Sequence, residues 1–221
     1  HKIDAIELDV HLSKDGVLIV HHDPVVMNEK GVKVPIREHY ADYLSTLFID
    51  GYQHIPTFKE VLLLIKETCD YPLTLFVEIK VDERNRRYPD IEDKVLSLLT
   101  ETDLSDSSWI LSFDFPTLID VKAKNEKIHT SALISKTYLT SVGSKGVDKV
   151  ISDMKSLKVS SVSVKDIYLT QTLIDALHKE NLLVGVWTVN KEKDMKVFKE
   201  MKVDVITSDN PLLLRETLNI Y

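Results

Sequence analysis

Short aliphatic runs alternate with amphipathic stretches along most of the chain, and this alternation predicts the secondary structure. Nearly continuous Val, Ile and Leu in a run is typical of strands in a parallel sheet, and helical spacing of apolar residues follows the later runs. Thr57 and Glu60 predict a capping box at the first long helix. The predicted strands are 6–10, 17–20, 73–80, 109–114, 130–134, 159–164, 182–189 and 203–208, and the predicted helices are 58–65, 91–101, 116–124, 147–156, 170–180, 191–201 and 211–218.

The alternation amounts to seven β-α units, one at the start and six from residue 73 onward. These units indicate the α/β class and a (β/α)8 TIM barrel, which has eight units and about 250 residues. We therefore expect one unit to be missing, most economically before residue 1. A doubly wound open sheet is the competing interpretation, because it needs no closure. The chain has no glycine-rich phosphate loop after any predicted strand, which counts against that alternative.

A polar segment of about thirty residues, 23–54, separates the second strand from the first long helix. Its breakers are Pro24, Gly31, Pro35 and Gly51. A structureless loop of this length is uncommon in a compact domain. The segment is therefore expected to be functional or to contain small elements of its own.

Composition narrows the class of protein. The 221 residues are 43% hydrophobic and carry a net charge of −7, which is typical of a globular protein and argues against general nucleic-acid binding. The single Cys69 excludes an intramolecular disulfide.

No apolar run approaches the roughly 18 residues of a membrane span, so we expect no stable membrane insertion. Without a signal-peptide pattern, we expect a cytoplasmic protein, as far as His1 represents its own N-terminus. Nothing indicates the oligomeric state.

Carboxylates occupy one face of the first predicted strand. Side chains alternate along a strand, so Glu7 and Asp9 share a face, and Glu78 and Lys80 share a face on the strand 73–80. Both pairs lie at the carboxyl ends of strands, where barrel active sites are built. A solvated edge strand would explain the first pair, and a simple ion pair the second. Because both strands show the pattern at the same end, a Mg2+ or Ca2+ site held by the three carboxylates is the better explanation.

Two other residues are candidates for chemistry. His22 follows the second strand, and a histidine there can transfer protons near neutral pH, although a surface loop histidine is the commoner case. Trp187 lies on a late strand and is either a core residue or a substrate platform. The other histidines, His11 among them, show no partner pattern and are expected to be structural or exposed.

A series of short motifs occurs along nearly the whole chain. The motifs are Ile-Glu-Leu-Asp-Val at 6–10, Ser-Lys-Asp-Gly at 13–16, Val-His-His-Asp-Pro at 20–24, Ile-Pro-Thr-Phe-Lys-Glu-Val-Leu at 55–62, Val-Glu-Ile-Lys at 77–80, Ser-Phe-Asp at 112–114, Val-Trp-Thr-Val-Asn at 186–190 and Val-Asp-Val-Ile-Thr-Ser-Asp-Asn-Pro at 203–211. Each motif is weak alone, but the set and its order resemble the glycerophosphodiester phosphodiesterase family.

The resemblance implies a fold and an activity. The fold is a single phosphodiesterase barrel domain over residues 1–221, with a small insertion, roughly 24–54, that caps the active site. The activity is metal-dependent hydrolysis of glycerophosphodiesters to glycerol 3-phosphate and an alcohol, in lipid metabolism. The implied site residues are the metal ligands Glu7, Asp9 and Glu78, the catalytic histidine His22, the phosphate-facing catalytic Lys80 and the pocket residue Trp187.

One departure from the family pattern concerns the start of the chain. The family opens with a strand ending in His-Arg-Gly and a helix bearing Pro-Glu-Asn-Thr, whereas residues 2–5 resemble the end of that helix, and His1 falls too late to match. Two alternatives stay open. One is a phospholipid head-group phosphodiesterase, similar to a phosphatidylinositol-specific phospholipase C or a sphingomyelinase D, which the lack of an evident exposed apolar loop weakens. The other is a catalytically silent ligand-binding barrel, which the clustered charges oppose.

Overall fold

The computed structural model describes residues 3–49, 51 and 53–220. The remaining positions of the predicted domain lie outside the described residues, two of them within the predicted insertion; they are His1, Lys2, Asp50, Tyr52 and Tyr221. The chain divides into two compact units, the first unit ending at Ile128 and the second unit beginning at His129.

The first unit contains a sheet flanked by helices. Its strands are β1 (Ala5–Leu12), β2 (Leu18–Val20), β3 (Val25–Met27), β4 (Lys33–Pro35), β5 (Phe48–Ile49), β6 (Gln53–His54), β7 (Thr74–Ile79) and β8 (Ser108–Ser112), and its helices are α1 (Ala41–Leu44), α2 (Phe58–Thr68), α3 (Ile91–Glu101) and α4 (Phe115–Lys124). Strands β8, β7 and β1 are parallel neighbours in that order, and β2 pairs antiparallel with β1.

Strand β1 fixes the register of this sheet from both sides. It pairs with β7 from Ala5 opposite Thr74 to Val10 opposite Ile79, and with β2 from Val10 opposite Val20 onward. Its last residues therefore continue past the end of β7 as a hairpin with β2. Apolar side chains of the sheet and of α2 and α3 form one buried core; it includes Val10, Leu75, Val77, Phe58, Leu62, Val95 and Leu99.

The polar segment 23–54 contains small elements of its own, as the sequence analysis allowed. Strands β3 and β4 form a hairpin, and β5 pairs with β6. Side chains of the segment, together with Ile19 of β2 and Ile55, bury a second apolar cluster; its members from the segment include Val26, Val34, Ile36 and Leu44. The segment is tied to the β1–β2 turn, because Lys14 N donates to His39 O at 2.8 Å and Asp15 Oδ1 accepts from Ala41 N at 3.0 Å.

The second unit contains a parallel sheet with the order β9-β10-β11-β12. Its strands are β9 (His129–Ile134), β10 (Ser161–Lys165), β11 (Leu183–Trp187) and β12 (Val205–Ile206), and its helices are α5 (Lys136–Val142), α6 (Gly146–Leu157), α7 (Gln171–Lys179), α8 (Glu192–Glu200) and α9 (Pro211–Leu218). The strand interiors are buried, with Val162, Val164, Val184 and Val186 inaccessible to solvent.

The predicted strands and helices are all present, with changes at their ends. The strand predicted over 203–208 is reduced to β12, because it pairs with β11 at only two positions. Helix α5 was not predicted. No helix among the described residues is long and apolar enough to cross a membrane.

Candidate active site

Three carboxylates from two adjacent strands of the first unit's sheet converge. Glu78 lies near the carboxyl end of β7 as predicted, whereas β1 continues past Asp9 to Leu12 because it goes on to pair with β2. Glu7 and Asp9 lie on β1 and Glu78 lies on β7, with Asp9 directly opposite Glu78 in the parallel register. Each residue offers one carboxylate oxygen, and these oxygens all lie within 4.8 Å of one another. The structure thus brings together the three residues that the sequence indicated as metal ligands.

Lys80 lies between two of these carboxylates. Its Nζ is 2.9 Å from Asp9 Oδ1 and 2.7 Å from Glu78 Oε1, and its side chain is only 15% exposed. The main chain fixes its position, because Lys80 N donates to Val10 O at 3.1 Å. The ion pair that the sequence left as an alternative is present, and it forms part of the carboxylate cluster.

The electrostatics of this cluster favour an additional positive charge. Desolvation, and then the charge of Asp9, raise the pKa of Glu7 to about 7. Desolvation also raises the pKa of Glu78 to about 8, although Lys80 acts against the shift. Desolvation lowers the pKa of Lys80, but the two neighbouring carboxylates outweigh it and raise that pKa above its ordinary value. With all three carboxyls ionised and Lys80 protonated, the cluster carries two negative charges, which one divalent cation would balance.

The donor set agrees with a hard divalent cation. Magnesium and calcium prefer carboxylate oxygens, and among the described residues this cluster is the one group of three or more His, Cys, Asp or Glu that could hold a metal ion. Because the three donors are oxygens without sulfur or imidazole, the site is less suited to zinc or copper.

His22 lies on the loop that follows β2. The loop is anchored beside the cluster, because His21 N donates to Asp9 O at 3.1 Å. The imidazole is 77% exposed, and its Nδ1 is 2.8 Å from Asp23 Oδ1. A proton on Nδ1 that is donated to Asp23 makes Nε2 of the neutral ring the proton-accepting nitrogen.

From the sequence, His11 is expected to be structural or exposed, because it shows no partner pattern. This residue is completely buried, and its two ring nitrogens contact Tyr88 and the main chain of His22. The available signal was its position on the same face of β1 as Glu7 and Asp9, two residues further along the strand.

Trp187 lies in the second unit, at the end of β11. It is half-buried and stands opposite Lys165 of β10 in the parallel register. Two residues earlier in each strand, Gly185 lies so close to Ser163 that a Cβ at position 185 would be 2.7 Å from Ser163 Oγ. The two strands are therefore closely packed immediately before the Trp187 position.

Comparison with known proteins decides the family. The profile of the Glycerophosphoryl diester phosphodiesterase family matches residues 1–213. The chain belongs to this family. A relative from Bacillus altitudinis, named glycerophosphodiester phosphodiesterase, is 27% identical over 221 residues, covering 94% of this chain and 83% of the relative.

Solved structures show the fold of the family. A structure from Agrobacterium tumefaciens matches with a TM-score of 0.88 at 20% identity, covering 99% of this chain and 87% of that one. A phosphodiesterase from Oleispira antarctica, solved with the product sn-glycerol-3-phosphate, matches with a TM-score of 0.81 at 19% identity, covering 98% and 85%. The likeness confirms the predicted (β/α)8-barrel fold class. Family membership also confirms the predicted enzyme class, a phosphoric diester hydrolase.

Proposed function

We propose that the chain hydrolyses glycerophosphodiesters to glycerol 3-phosphate and an alcohol in a reaction that depends on a divalent cation. The observation that carries the proposal is the cluster of Glu7, Asp9, Glu78 and Lys80 in a member of this family. The product bound to the Oleispira antarctica relative supports the choice of glycerol 3-phosphate.

The cation proposed for this site is Mg2+ or Ca2+. Glu7, Asp9 and Glu78 would hold it through carboxylate oxygens, which satisfies both its preference for hard donors and the charge of the cluster. When bound, such an ion polarises a phosphoryl oxygen and orients the attacking group.

Lys80 supplies the second positive charge of the proposed site. Its ammonium is largely shielded from water and fixed by two carboxylates, so little reorganisation is needed when charge develops on the substrate. Preorganised charge of this kind stabilises a transition state more effectively than a mobile surface lysine. We assign Lys80 to the phosphate, where it binds the substrate and offsets the growing negative charge.

His22 is assigned to proton transfer. Hydrolysis removes a proton from the attacking oxygen, whether this is water or an adjacent hydroxyl of the substrate, and delivers a proton to the leaving alkoxide. The contact between His22 Nδ1 and Asp23 orients the ring and leaves Nε2 for one of these transfers.

Further parts of the proposal concern the pocket and the cellular setting. We assign Trp187 to the substrate pocket on its position at the end of a strand in the second unit. The 24–54 segment is proposed to cap the site, within a single domain over residues 1–221. A role in lipid metabolism and a cytoplasmic location stay predictions.

The test is release of glycerol 3-phosphate from glycerophosphocholine, measured with a coupled dehydrogenase assay. Chelation with EDTA should abolish release, and Mg2+ or Ca2+ should restore it. Glu78→Gln should lower kcat by about 100-fold or more, the scale of losing one preorganised electrostatic contact. Glu67→Gln, an exposed position on α2, is the matched control and should retain full activity.

Four results would contradict the proposal. Release that persists in EDTA would exclude the cation, and an active Glu78→Gln enzyme would exclude the cluster. Cleavage of phosphatidylinositol or sphingomyelin vesicles without release from glycerophosphocholine would favour a head-group phosphodiesterase. Ligand binding without turnover of either substrate would favour a silent barrel.

A further inference from the structure

The buried His11 connects Tyr88 to the loop that carries His22. Its Nδ1 is 3.0 Å from Tyr88 Oη, and its Nε2 is 3.3 Å from the main-chain oxygen of His22. Neither the proposed metal site nor the proposed proton transfer uses this residue. A completely buried imidazole with a partner at each nitrogen is costly to maintain unless both contacts form, so the arrangement is well defined.

The chemistry of the partners fixes the direction of both hydrogen bonds. A carbonyl oxygen only accepts, so His11 Nε2 carries a proton and donates it to His22 O. The completely buried ring favours its neutral form, which carries a single proton, so with that proton on Nε2 the other nitrogen, Nδ1, has none. Tyr88 therefore donates its hydroxyl proton to Nδ1. The resulting relay runs from Tyr88 through His11 to the main chain of His22.

Tyr88 is itself held from several sides. Its ring meets the His11 ring edge to face, with centroids 5.8 Å apart, and the guanidinium of Arg37 lies 5.1 Å from its centroid. Arg37 is fixed in turn, because its Nη1 donates to Asp82 Oδ2 at 3.0 Å. The hydroxyl that donates to His11 Nδ1 thus belongs to a ring that contacts two further side chains of the first unit.

We infer that His11 is a positioning residue that holds the main chain at His22 and thereby places the His22 imidazole for proton transfer. The inference rests on the proposed role of His22. The side-chain contact from His22 to Asp23 joins adjacent residues, which move together and cannot fix the ring relative to the carboxylates. The hydrogen bond from His11 comes from β1, the strand that carries Glu7 and Asp9, and so links the two halves of the site.

A matched pair of substitutions separates the two contacts of His11. The side-chain amide of Asn places a polar atom at the position of His Nδ1. His11→Asn therefore keeps a hydrogen-bond partner for Tyr88 and loses the hydrogen bond to His22 O. The longer Gln amide reaches the position of Nε2, so His11→Gln keeps the bond to His22. We expect His11→Asn to lower kcat by about 10- to 100-fold, because small misplacements of catalytic groups have effects of this size. His11→Gln should stay within about threefold of the wild type, on the same scale.

The kinetic pattern distinguishes positioning from a general effect on β1. A positioning role lowers kcat and kcat/KM together in the Asn enzyme and leaves KM and the Mg2+ activation constant within about twofold. A parallel increase in the Mg2+ activation constant would mean that His11 supports the neighbouring carboxylates, and the inference would be wrong. Equal loss in the Asn and Gln enzymes, or no loss in the Asn enzyme, would also overturn it.

Two further measurements keep the inference testable. If the variants do not fold, long-range proton–nitrogen NMR of the wild type decides, with the His11 ring identified by its Overhauser contacts to Tyr88. The Nε2-protonated tautomer is expected, and the Nδ1-protonated tautomer would overturn the relay. A wild-type enzyme that releases no glycerol 3-phosphate contradicts the proposed function instead, so the two failures are distinguishable.

Discussion

Asp82 shows how a single side chain organises the loop after β7. Its carboxylate is completely buried, with Oδ1 accepting from the main-chain nitrogens of Arg84 and Arg86 and Oδ2 accepting from Arg86 Nε and Arg37 Nη1. Desolvation alone would raise the pKa of Asp82, but these hydrogen bonds outweigh it and lower that pKa below its ordinary value. Because Arg37 belongs to the 24–54 segment, Asp82 also ties that segment to the sheet.

Replacing this carboxylate should destabilise the protein in a pH-dependent way. Asp82→Asn should cost about 2 kcal/mol at pH 7, less than a fully buried ion pair because Arg86 is half exposed. A lowered pKa in the folded state stabilises the fold above the ordinary Asp pKa of about 4, and this contribution disappears as the pH falls through the lowered value. Urea unfolding at pH 7 and pH 3 should therefore show the difference between wild type and variant shrinking at the lower pH.

The control for this experiment is Asp103→Asn. Asp103 pairs with Lys66 on the surface, and its side chain is 87% exposed, so the substitution should change stability by less than about 0.5 kcal/mol at either pH. A difference for Asp82→Asn that is the same at pH 3 and pH 7 would contradict the role assigned to its charge.

Local pattern was informative for one part of the candidate site. The alternation of charged and apolar positions within single strands was sufficient to select Glu7, Asp9, Glu78 and Lys80 as candidates, and the structure brings these side chains together. His11 has the same strand placement, but its partner Tyr88 is 77 positions away in the chain. Contacts of that separation depend on tertiary packing, which no local pattern contains.

At the scale of elements, the start of α2 is the most completely specified boundary. Thr57 Oγ1 accepts from Glu60 N at 3.2 Å, and Glu60 Oε2 accepts from Thr57 N at 2.7 Å, which is the capping box that the sequence predicted. Both donors would otherwise lack a partner in the helix. The hydrogen bonds from the main chain and side chain of Thr57 also lower the pKa of Glu60.

Removing the cap should have a measurable cost. Thr57→Ala should lower the free energy of unfolding by about 1 kcal/mol, the usual value for losing a capping hydroxyl. Thr68→Ala near the end of the same helix is the control, because the Thr68 hydroxyl only returns to Leu64 O within the helix. Chemical denaturation of the three proteins is the measurement, and equal stability of both variants would show that the capping box contributes nothing measurable.

The hydrophobic pattern of the sequence did not predict helix α5 or the exact ends of several strands. Helix α5 is capped by Ser135, whose hydroxyl accepts from Tyr138 N at 3.1 Å, but the Thr, Ser and Val residues within the helix have weak helical preference. Its formation therefore depends more on the cap and surroundings than on composition. The strand predicted over 203–208 likewise keeps regular pairing with β11 only at Val205 and Ile206.

At the scale of the molecule, the number of β-α units predicted the α/β class, but by itself it could not distinguish a closed barrel from an open sheet. Seven alternating units are compatible with an open sheet as well as a barrel, and relatives covering nearly the whole chain decide between them. The ordered motifs were more informative than the count, because their order over the chain is specific to one family.

Cation binding should stabilise the folded protein as a whole. At a concentration of about 100 times Kd, a ligand that binds only the folded state contributes about 2.7 kcal/mol, or roughly 5 to 10 °C in Tm for a chain of this size. Thermal unfolding with EDTA, Mg2+ and Ca2+ should show this rise, and the ion giving the larger shift at equal concentration is the better ligand.

Two variants identify the site responsible for the rise. Glu67→Gln should show the same increase in Tm as the wild type, and Glu78→Gln should lose it. An undiminished rise in the Glu78→Gln protein would place the stabilising ion elsewhere.

The pairing of β1 makes one half of the candidate site harder to open by local unfolding than the other. The main chain of β1 is hydrogen-bonded to β7 along Ala5–Val10, the segment that carries Glu7 and Asp9, whereas His22 is exposed on the loop that follows β2. Opening of the carboxylate half therefore requires disruption of the sheet, and opening of the histidine half requires far less. Sequence variation that adapts such a site to a new alcohol is consequently better tolerated on the loop side, where it leaves the cation ligands in place.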